Sequence, residues 1–441
     1  MSPAETTKSD TGEVTETLTL RENYRILFKA SRAFWLVNMV NFGDGIAYFG
    51  ILNLLTLFVR QSVGFSDQAT GISVSVFTGL VTLFMFGGGF VSDKLGVRRA
   101  LTLSMAVVLV GRILLVTSPS YGGAMTNAAL WLSLLVMGVA EGVVQPALYA
   151  GVKEFTDPRT ATISYSLLYA IMNLGIVAET FASPFIRERY QISGVFWVMI
   201  AFTVLMVAGN MLFFTRRIER RDRVVEYVKP VATDTRTLGQ KIRALPFLDS
   251  RFIFFIFILL PVRTLFAHQF LTLPDYVIRC FPESVGARYE WFQGLNPLII
   301  VIFVPLIAAF TRKVSVITMM IVGTSISAVT TFILVPGPHL STLILYVVLF
   351  SFGEAVWSSR FLEYVSNLAP AGQVGAYMGL AGIPWFLAKA TTGLYSGLMI
   401  SEFLPGRSGT MWLIYGFIAL ISPLGLLIGR RWVKKGVPQE R

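Results

Sequence analysis

The sequence predicts an all-α integral membrane protein: twelve transmembrane helices in two six-helix bundles, with both termini cytoplasmic. Three observations predict it. First, the 441 residues are 54% hydrophobic and only 14% charged, with a mean hydropathy of +0.66. A soluble domain of this length would carry far more charge on its surface. Second, apolar stretches of roughly 20 residues, enough to cross a bilayer, recur along almost the whole chain. They are continuous rather than alternating, which specifies helices and not outer-membrane strands. Third, with the N-terminus inside, 27 of the 37 Lys and Arg fall in inner segments and six in outer ones, namely Arg60, Arg187, Arg189, Arg279, Arg288 and Arg407. That is the positive-inside bias. It explains the net charge of +12 as topology with some attraction to anionic lipid, and removes the case for a nucleic-acid partner.

Residues 1–32 form a cytoplasmic tail, of which the first twenty are polar, rich in Thr and Glu, and read as disordered. No cleavable signal peptide precedes span 1, whose apolar run is too long and too late for one. The predicted spans are 33–59, 67–92, 100–118, 126–151, 160–185 and 192–215, making an N-terminal bundle over 33–215. A basic linker follows at 216–250, opening with RRIERRDR; its stretch TLGQKIRALPFL has the pattern of a short amphipathic surface helix. Spans 251–280, 289–311, 314–335, 341–368, 374–400 and 410–430 make the C-terminal bundle over 251–430, and 431–441 is a cytoplasmic tail. Two bundles joined by a long linker suggest a shared site near mid-membrane. The single cysteine, Cys280, permits no intrachain disulfide, and no metal-type cluster, cofactor motif or phosphate-binding loop is present.

Charges within spans are the main functional signal. A carboxylate at a bilayer centre costs about 2.5–3.5 kcal/mol on insertion scales, so it marks a site by default. Glu354 sits in the apolar run 340–368, and Asp44, Arg112, Glu141, Glu179, Arg263 and Lys389 share its situation. Lys389 either holds a substrate carboxylate or is the counter-ion of Glu354; Trp385 lies one turn from it and either stacks on substrate or packs. Asn41, Asp44 and Tyr48 form a polar stripe on span 1, and Glu141 and Gln145 repeat the i, i+4 spacing on span 4. Asp44, Glu141, His268 and Glu354 are the proton-coupling candidates, His268 because imidazole titrates near neutral pH. For these polar groups the alternative is interhelical hydrogen bonding. Arg112 is a partner for Glu141 or Asp44, Arg263 an anion contact, Arg360 and Glu363 a gate pair, and Glu179 part of an outer gate.

The loop after span 2 reads GGGFVSDKLGVRR. Gly89, Asp93, Gly96, Arg98 and Arg99 resemble the cytoplasmic 2–3 loop signature of the major facilitator superfamily, where the acid and arginine act as a latch. FTRKVS after span 8 is a degenerate copy. Longer segments resemble the proton-coupled oligopeptide transporter branch: NFGDGIAYFGILNLL in span 1, FQGLNPLIIVIFVPLIA in span 8, and FGEAVWSSRFLEYVSNLAPAGQVGAYMGLAGIPWFLAKATTG across spans 10 and 11. Asn41, Asp44 and Gly45 stand at the family's ExxER motif, Gln145 at its span 4 lysine, and His268 at its span 7 acid. The resemblance implies that Glu354 grips a substrate amine.

The function expected is a secondary active transporter working by alternating access, proton-coupled, for a small charged or zwitterionic solute such as a peptide or amino-acid derivative. The residues singled out for substrate are Glu354, Lys389, Tyr48, Asn41, Arg263, Gln145 and Trp385. The expected partners are that solute, protons and membrane lipid, with the protein a monomer of the inner membrane. An exporter of amphipathic or organic-anion compounds and a non-transporting receptor are the other readings. An enzyme is excluded for want of a nucleophile–base pair.

Overall fold

The computed structural model describes residues 29–156, 161–224, 249–311, 314–368 and 382–435. These residues are helical with no strand among them. Among the described residues, nine helical stretches are long and apolar enough to cross a membrane, one of them spanning two successive helices over Ser250–Leu271. In chain order the helices begin with α1 (Arg32–Gln61), α2 (Asp67–Leu95), α3 (Val97–Thr117), α4 (Gly123–Phe155), α5 (Ala161–Phe213) and a short α6 (Arg216–Arg221). After the linker come α7 (Ser250–Ile258), α8 (Leu260–Leu271), α9 (Leu273–Cys280), α10 (Glu283–Gly286), α11 (Tyr289–Phe310), α12 (Val316–Thr330), α13 (Leu340–Leu368), α14 (Ile383–Phe403) and α15 (Ser408–Lys434).

The helix starts are chemically specified. Ser31, Ser66 and Ser315 each accept an N–H from the first turn of α1, α2 and α12, and Asp249 does so for α7; such caps satisfy donors that have no partner within the helix. Between α2 and α3 the turn is a single residue, Gly96, at φ 78°, a conformation that glycine adopts without a Cβ penalty.

Expected spans 5 and 6 are two helical arms that run together in α5 and meet at Gln191, whose φ of 58° and ψ of −173° are not helical; the break falls between the expected spans, with one residue in place of a loop. The predicted span 251–280 is broken into α7, α8 and α9, with prolines in the first turns of α8 and α9. Proline lacks the N–H and clashes with the preceding turn, so a continuous apolar run does not become a continuous helix. Helix α1 begins at Arg32, and α15 runs to Lys434. The N-terminal tail to residue 28, the amphipathic stretch of the linker and the 374–381 part of span 11 lie outside the described residues.

Helices α1 to α5 pack on one another, as do α7 to α15, and the two groups meet along two seams, α2 against α14 and α5 against α11. Lipid tails are as apolar as leucine, so these helices are held by close approach rather than by expulsion of water. The α1–α5 contact shows it: a methyl on Gly45 would stand 2.5 Å from the Met172 carbonyl oxygen, so the two backbones touch. Leu103, Val107, Val110, Leu132 and Leu135 are exposed on the outer faces of α3 and α4, as lipid contact requires.

Candidate functional site

The polar interior of the N-terminal group is built around Arg112, which α3 buries completely. Its Nη2 donates to Glu141 Oε1 at 2.6 Å and stands 3.9 Å from Asp44 Oδ1. Its Nη1 donates to the Thr203 hydroxyl of the second arm of α5. Gln145 Nε2 reaches Asp44 Oδ2 at 3.4 Å. Thus α1, α3, α4 and α5 bring two carboxylates onto one guanidinium, and Arg112 partners both of the acids named for it. Tyr48 lies beside this cluster and packs its ring on Phe77 of α2. Asn41 points elsewhere: its amide donates to the Leu168 carbonyl at 2.6 Å, an interhelical bond between α1 and α5.

The C-terminal group carries the opposing chemistry. Glu354 on α13 is buried and accepts from Asn296 Nδ2 of α11 at 2.7 Å; the same amide donates to Ser351. Arg263 on α8 is within electrostatic range of Glu354. Its guanidinium lies in an aromatic box, 4.3 Å from the ring centre of Phe361, 4.6 Å from Trp385 and 5.1 Å from Trp357. Cation–π contacts hold such a charge without an anion, and its Nε and Nη1 have no hydrogen-bond partner among the described residues. Lys389 on α14 places its ammonium 6.0 Å from the Trp385 ring. No ion pair joins it to Glu354 among the described residues.

His268 is placed differently from the other titratable candidates. Its ring stacks on Tyr415 at 3.8 Å, Nδ1 meets the Thr272 hydroxyl at 2.8 Å, and Nε2 meets the Tyr395 hydroxyl at 3.1 Å. Both nitrogens are occupied by hydroxyls, a setting that suits neutral imidazole.

Sequence reasoning passed over three tyrosines. Tyr149 on α4 and Tyr165 and Tyr169 on α5 are each more than a third exposed. Tyr165 donates to the Tyr149 carbonyl, and Tyr169 is within electrostatic range of Glu354 on the other group. Tyr169 thus turns towards the carboxylate from the N-terminal group, with Tyr149 and Tyr165 packed together on the adjoining turns. The i, i+4 spacing of Tyr165 and Tyr169 was the available signal.

At the end of the molecule far from the linker, the groups are clasped by ions. Arg60 of α1 pairs with Asp275 of α9 and approaches Asp67 at 3.5 Å. Arg279 reaches Asp67 Oδ2 at 2.9 Å and Asp275 at 3.0 Å. Beside this ring, Arg187 of α5 binds Glu290 of α11 through Nε and Nη2, at 2.6 and 2.9 Å. At the linker end, Arg98 pairs with Glu219 of α6 at 3.6 Å, and Arg99 is exposed. Gly89 and Asp93 lie in the last turns of α2. The side chains of Asp93 and Glu363 lie outside the described residues; Arg360 donates to the Thr311 carbonyl and hydroxyl, both at 3.0 Å.

Residues 37–390 match the model of the Major Facilitator Superfamily, and the chain belongs to that superfamily. It is a multi-pass membrane transporter and not an enzyme, and it resembles a divergent member of the oligopeptide transporter branch. Among curated relatives, dipeptide and tripeptide permease A of Erwinia pyrifoliae (strain DSM 12163 / CIP 106111 / Ep16/96) is 22% identical, with 84% of this chain and 85% of that protein covered. The permease of the same name from Escherichia coli (strain K12) is also 22% identical, with 84% of each covered. Among solved structures, a peptide transporter POT in complex with sulfate gives a TM-score of 0.75 at 18% identity, over 94% of this chain and 99% of that one. A POT family transporter in complex with 5-aminolevulinic acid gives 0.70 at 16% identity, over 91% and 97%. These likenesses establish the fold.

Proposed function

We propose that the chain is a proton-coupled secondary transporter of small zwitterionic solutes, dipeptides and tripeptides first among them, working by alternating access. In this reading twelve crossings form the bundles 33–215 and 251–430, both termini are cytoplasmic, and the two rock about the seams α2–α14 and α5–α11. The permease relatives support the substrate class. The observation that carries the reading is the uncommitted charge of the C-terminal group: Glu354 held by an amide, and Arg263 and Lys389 with no ion pair among the described residues. A substrate amine supplies the cation that Glu354 lacks, and a substrate carboxylate supplies the anion for Lys389 or Arg263. Tyr169 and its neighbours offer hydroxyls from the opposite group, and Trp385 lies between the two cations.

The proton belongs to the other group. Two carboxylates on one guanidinium leave a surplus negative charge in a low-dielectric interior, and one bound proton removes it. Asp44, at 3.9 Å from Arg112, is the looser of the two acids and the better proton carrier; Glu141 keeps the tight pair.

The test is uptake of a labelled dipeptide into liposomes with an imposed pH gradient. Wild type is expected to accumulate substrate and to stop when a protonophore collapses the gradient. Glu354→Gln, which loses a charge-assisted contact worth about 1.5–3 kcal/mol, should lower accumulation by about tenfold or more with an unchanged melting temperature. Full accumulation by that variant sinks the site. Thermal stabilisation by dipeptide with no flux replaces transport by a receptor.

A further inference from the structure

Glu179 belongs to neither polar centre. Helix α5 carries it into the clasped end, where it is 2% exposed. Its Oε2 accepts from Asn53 Nδ2 of α1 at 2.9 Å, and its Oε1 has no hydrogen-bond partner among the described residues. The stem is wedged against bare backbone and a thioether: a methyl on Gly50 would stand 3.0 Å from Glu179 Cγ and closer still to Met199.

Among the described residues, the charged and titratable groups around it offer no free cation. From α11 come Tyr289 and Glu290, and from its own helix Arg187, which Glu290 already binds through two hydrogen bonds. Asp275 of α9 lies beyond Tyr289. The packed helices α3 and α4 contribute Arg112 and Glu141, which pair with each other. An ionised carboxylate with only an amide and the Ser183 hydroxyl for company, and no cation, is costly in such a place, whereas a neutral carboxylic acid is not.

The surroundings tie this acid to the clasp. The Tyr289 hydroxyl donates to the backbone carbonyl of Asn53 at 2.9 Å, a bond between the two helix groups made by the same residue that binds Glu179. Gly294 of α11 presses on Thr180, the next residue along. The contacts that hold the groups together at this end therefore roof the carboxyl.

We propose that Glu179 is a proton-binding site governed by this clasp: its carboxylate takes up one proton from the solution at that end as the two groups close over it, and returns it as they part. In the closed form the carboxylic acid keeps its bond from Asn53; in the open form water solvates the carboxylate. The proposal rests on the alternating-access reading. The closed form binds one proton more than the open form, so falling pH favours closure, by up to about tenfold per pH unit. The ion pairs of Asp67, Asp275 and Glu290 work the other way, because acid neutralises carboxylates that hold the groups together. The direction of the response thus separates Glu179 from its neighbours.

The experiment places spin labels at Ser120→Cys and His339→Cys, exposed at this end on the two groups, in a Cys280→Ser background in lipid nanodiscs. Distance distributions are recorded from acid to alkaline pH. Relative to Glu179→Gln, wild type is expected to lose the short distance as pH rises, and Glu179→Gln to keep it. An identical pH response in both overturns the proposal and leaves alternating access standing. A distance that never changes, at any pH or with dialanine added, removes alternating access and the proposal together. A second readout is the infrared carbonyl stretch of a protonated carboxylic acid. It should be present in wild type at neutral pH and weaker by one group in Glu179→Gln; equal bands overturn the assignment.

Discussion

Arg112 holds together more of the N-terminal group than any other side chain described, because three partners on three helices converge on it. Removing one member of a buried ionic cluster strands the others, at about 3–5 kcal/mol. Arg112→Met is therefore expected to lower the melting temperature sharply, and Arg112→Met with Glu141→Gln to recover part of the loss; additive effects would break the assignment of one cluster. The sequence named both partners of this arginine, since a lone cation and two acids in neighbouring spans have few other ways to be neutralised. It also offered Lys389 as counter-ion to Glu354, and that pairing is not found. Depth along a helix can be read from a hydropathy run, but the angle at which two separate helices present their side chains cannot. The tyrosines escaped notice for a related reason: an aromatic counts as apolar in a hydropathy pattern whether it faces lipid or a water-filled cleft.

Among the elements, α6 and the residues after it show how the linker is anchored. Asp222 Oδ2 accepts the Ala33 N–H at 3.0 Å, so a residue of the linker caps α1. Val224 N–H donates to the Glu154 carbonyl at the end of α4, and Arg223 pairs with Glu154. Burial pushes the Asp222 carboxyl up, but Arg221 and the backbone of Ala33 and Arg32 outweigh it and hold the group below its ordinary value. The stability it contributes is present above the carboxyl's unfolded-state pKa and is lost as pH falls through the lower folded value. Asp222→Asn should therefore lower the melting temperature at neutral pH by an amount corresponding to about 0.5–1 kcal/mol, and the gap should close in acid. A gap that is constant with pH counts against the cap. The broken run of α7, α8 and α9 was legible in Pro261 and Pro274, and was missed because hydropathy continues unbroken through both. The break within α5 was legible, because Arg187, Glu188 and Arg189 interrupt the apolar run; what the pattern did not give is that one residue in a rare backbone conformation, Gln191, does the work of a loop.

At the scale of the whole molecule, two groups of helices meet at seams of very small side chains. On α14, Gly393 lies against Ser75 and Gly71 of α2, and a methyl there would collide with both; the Ser75 hydroxyl also donates to the Lys389 carbonyl at 2.8 Å. Gly393→Val is expected to wedge the seam, destabilising the protein by about 1–3 kcal/mol as overpacking does and abolishing transport, as thermal unfolding and uptake would register. Wild-type uptake by that variant would remove α2–α14 as a pivot.

The tightness of these seams also decides the phase from which cargo arrives. Where backbone meets hydroxyl or backbone, at Gly393 with Ser75 and Gly294 with Thr180, no gap remains for an acyl chain to slip between the groups. Compounds dissolved in the bilayer have no sideways passage between the groups through these contacts. That partition favours a cargo that is hydrated before it is bound, and it counts against the collection of greasy molecules from either leaflet.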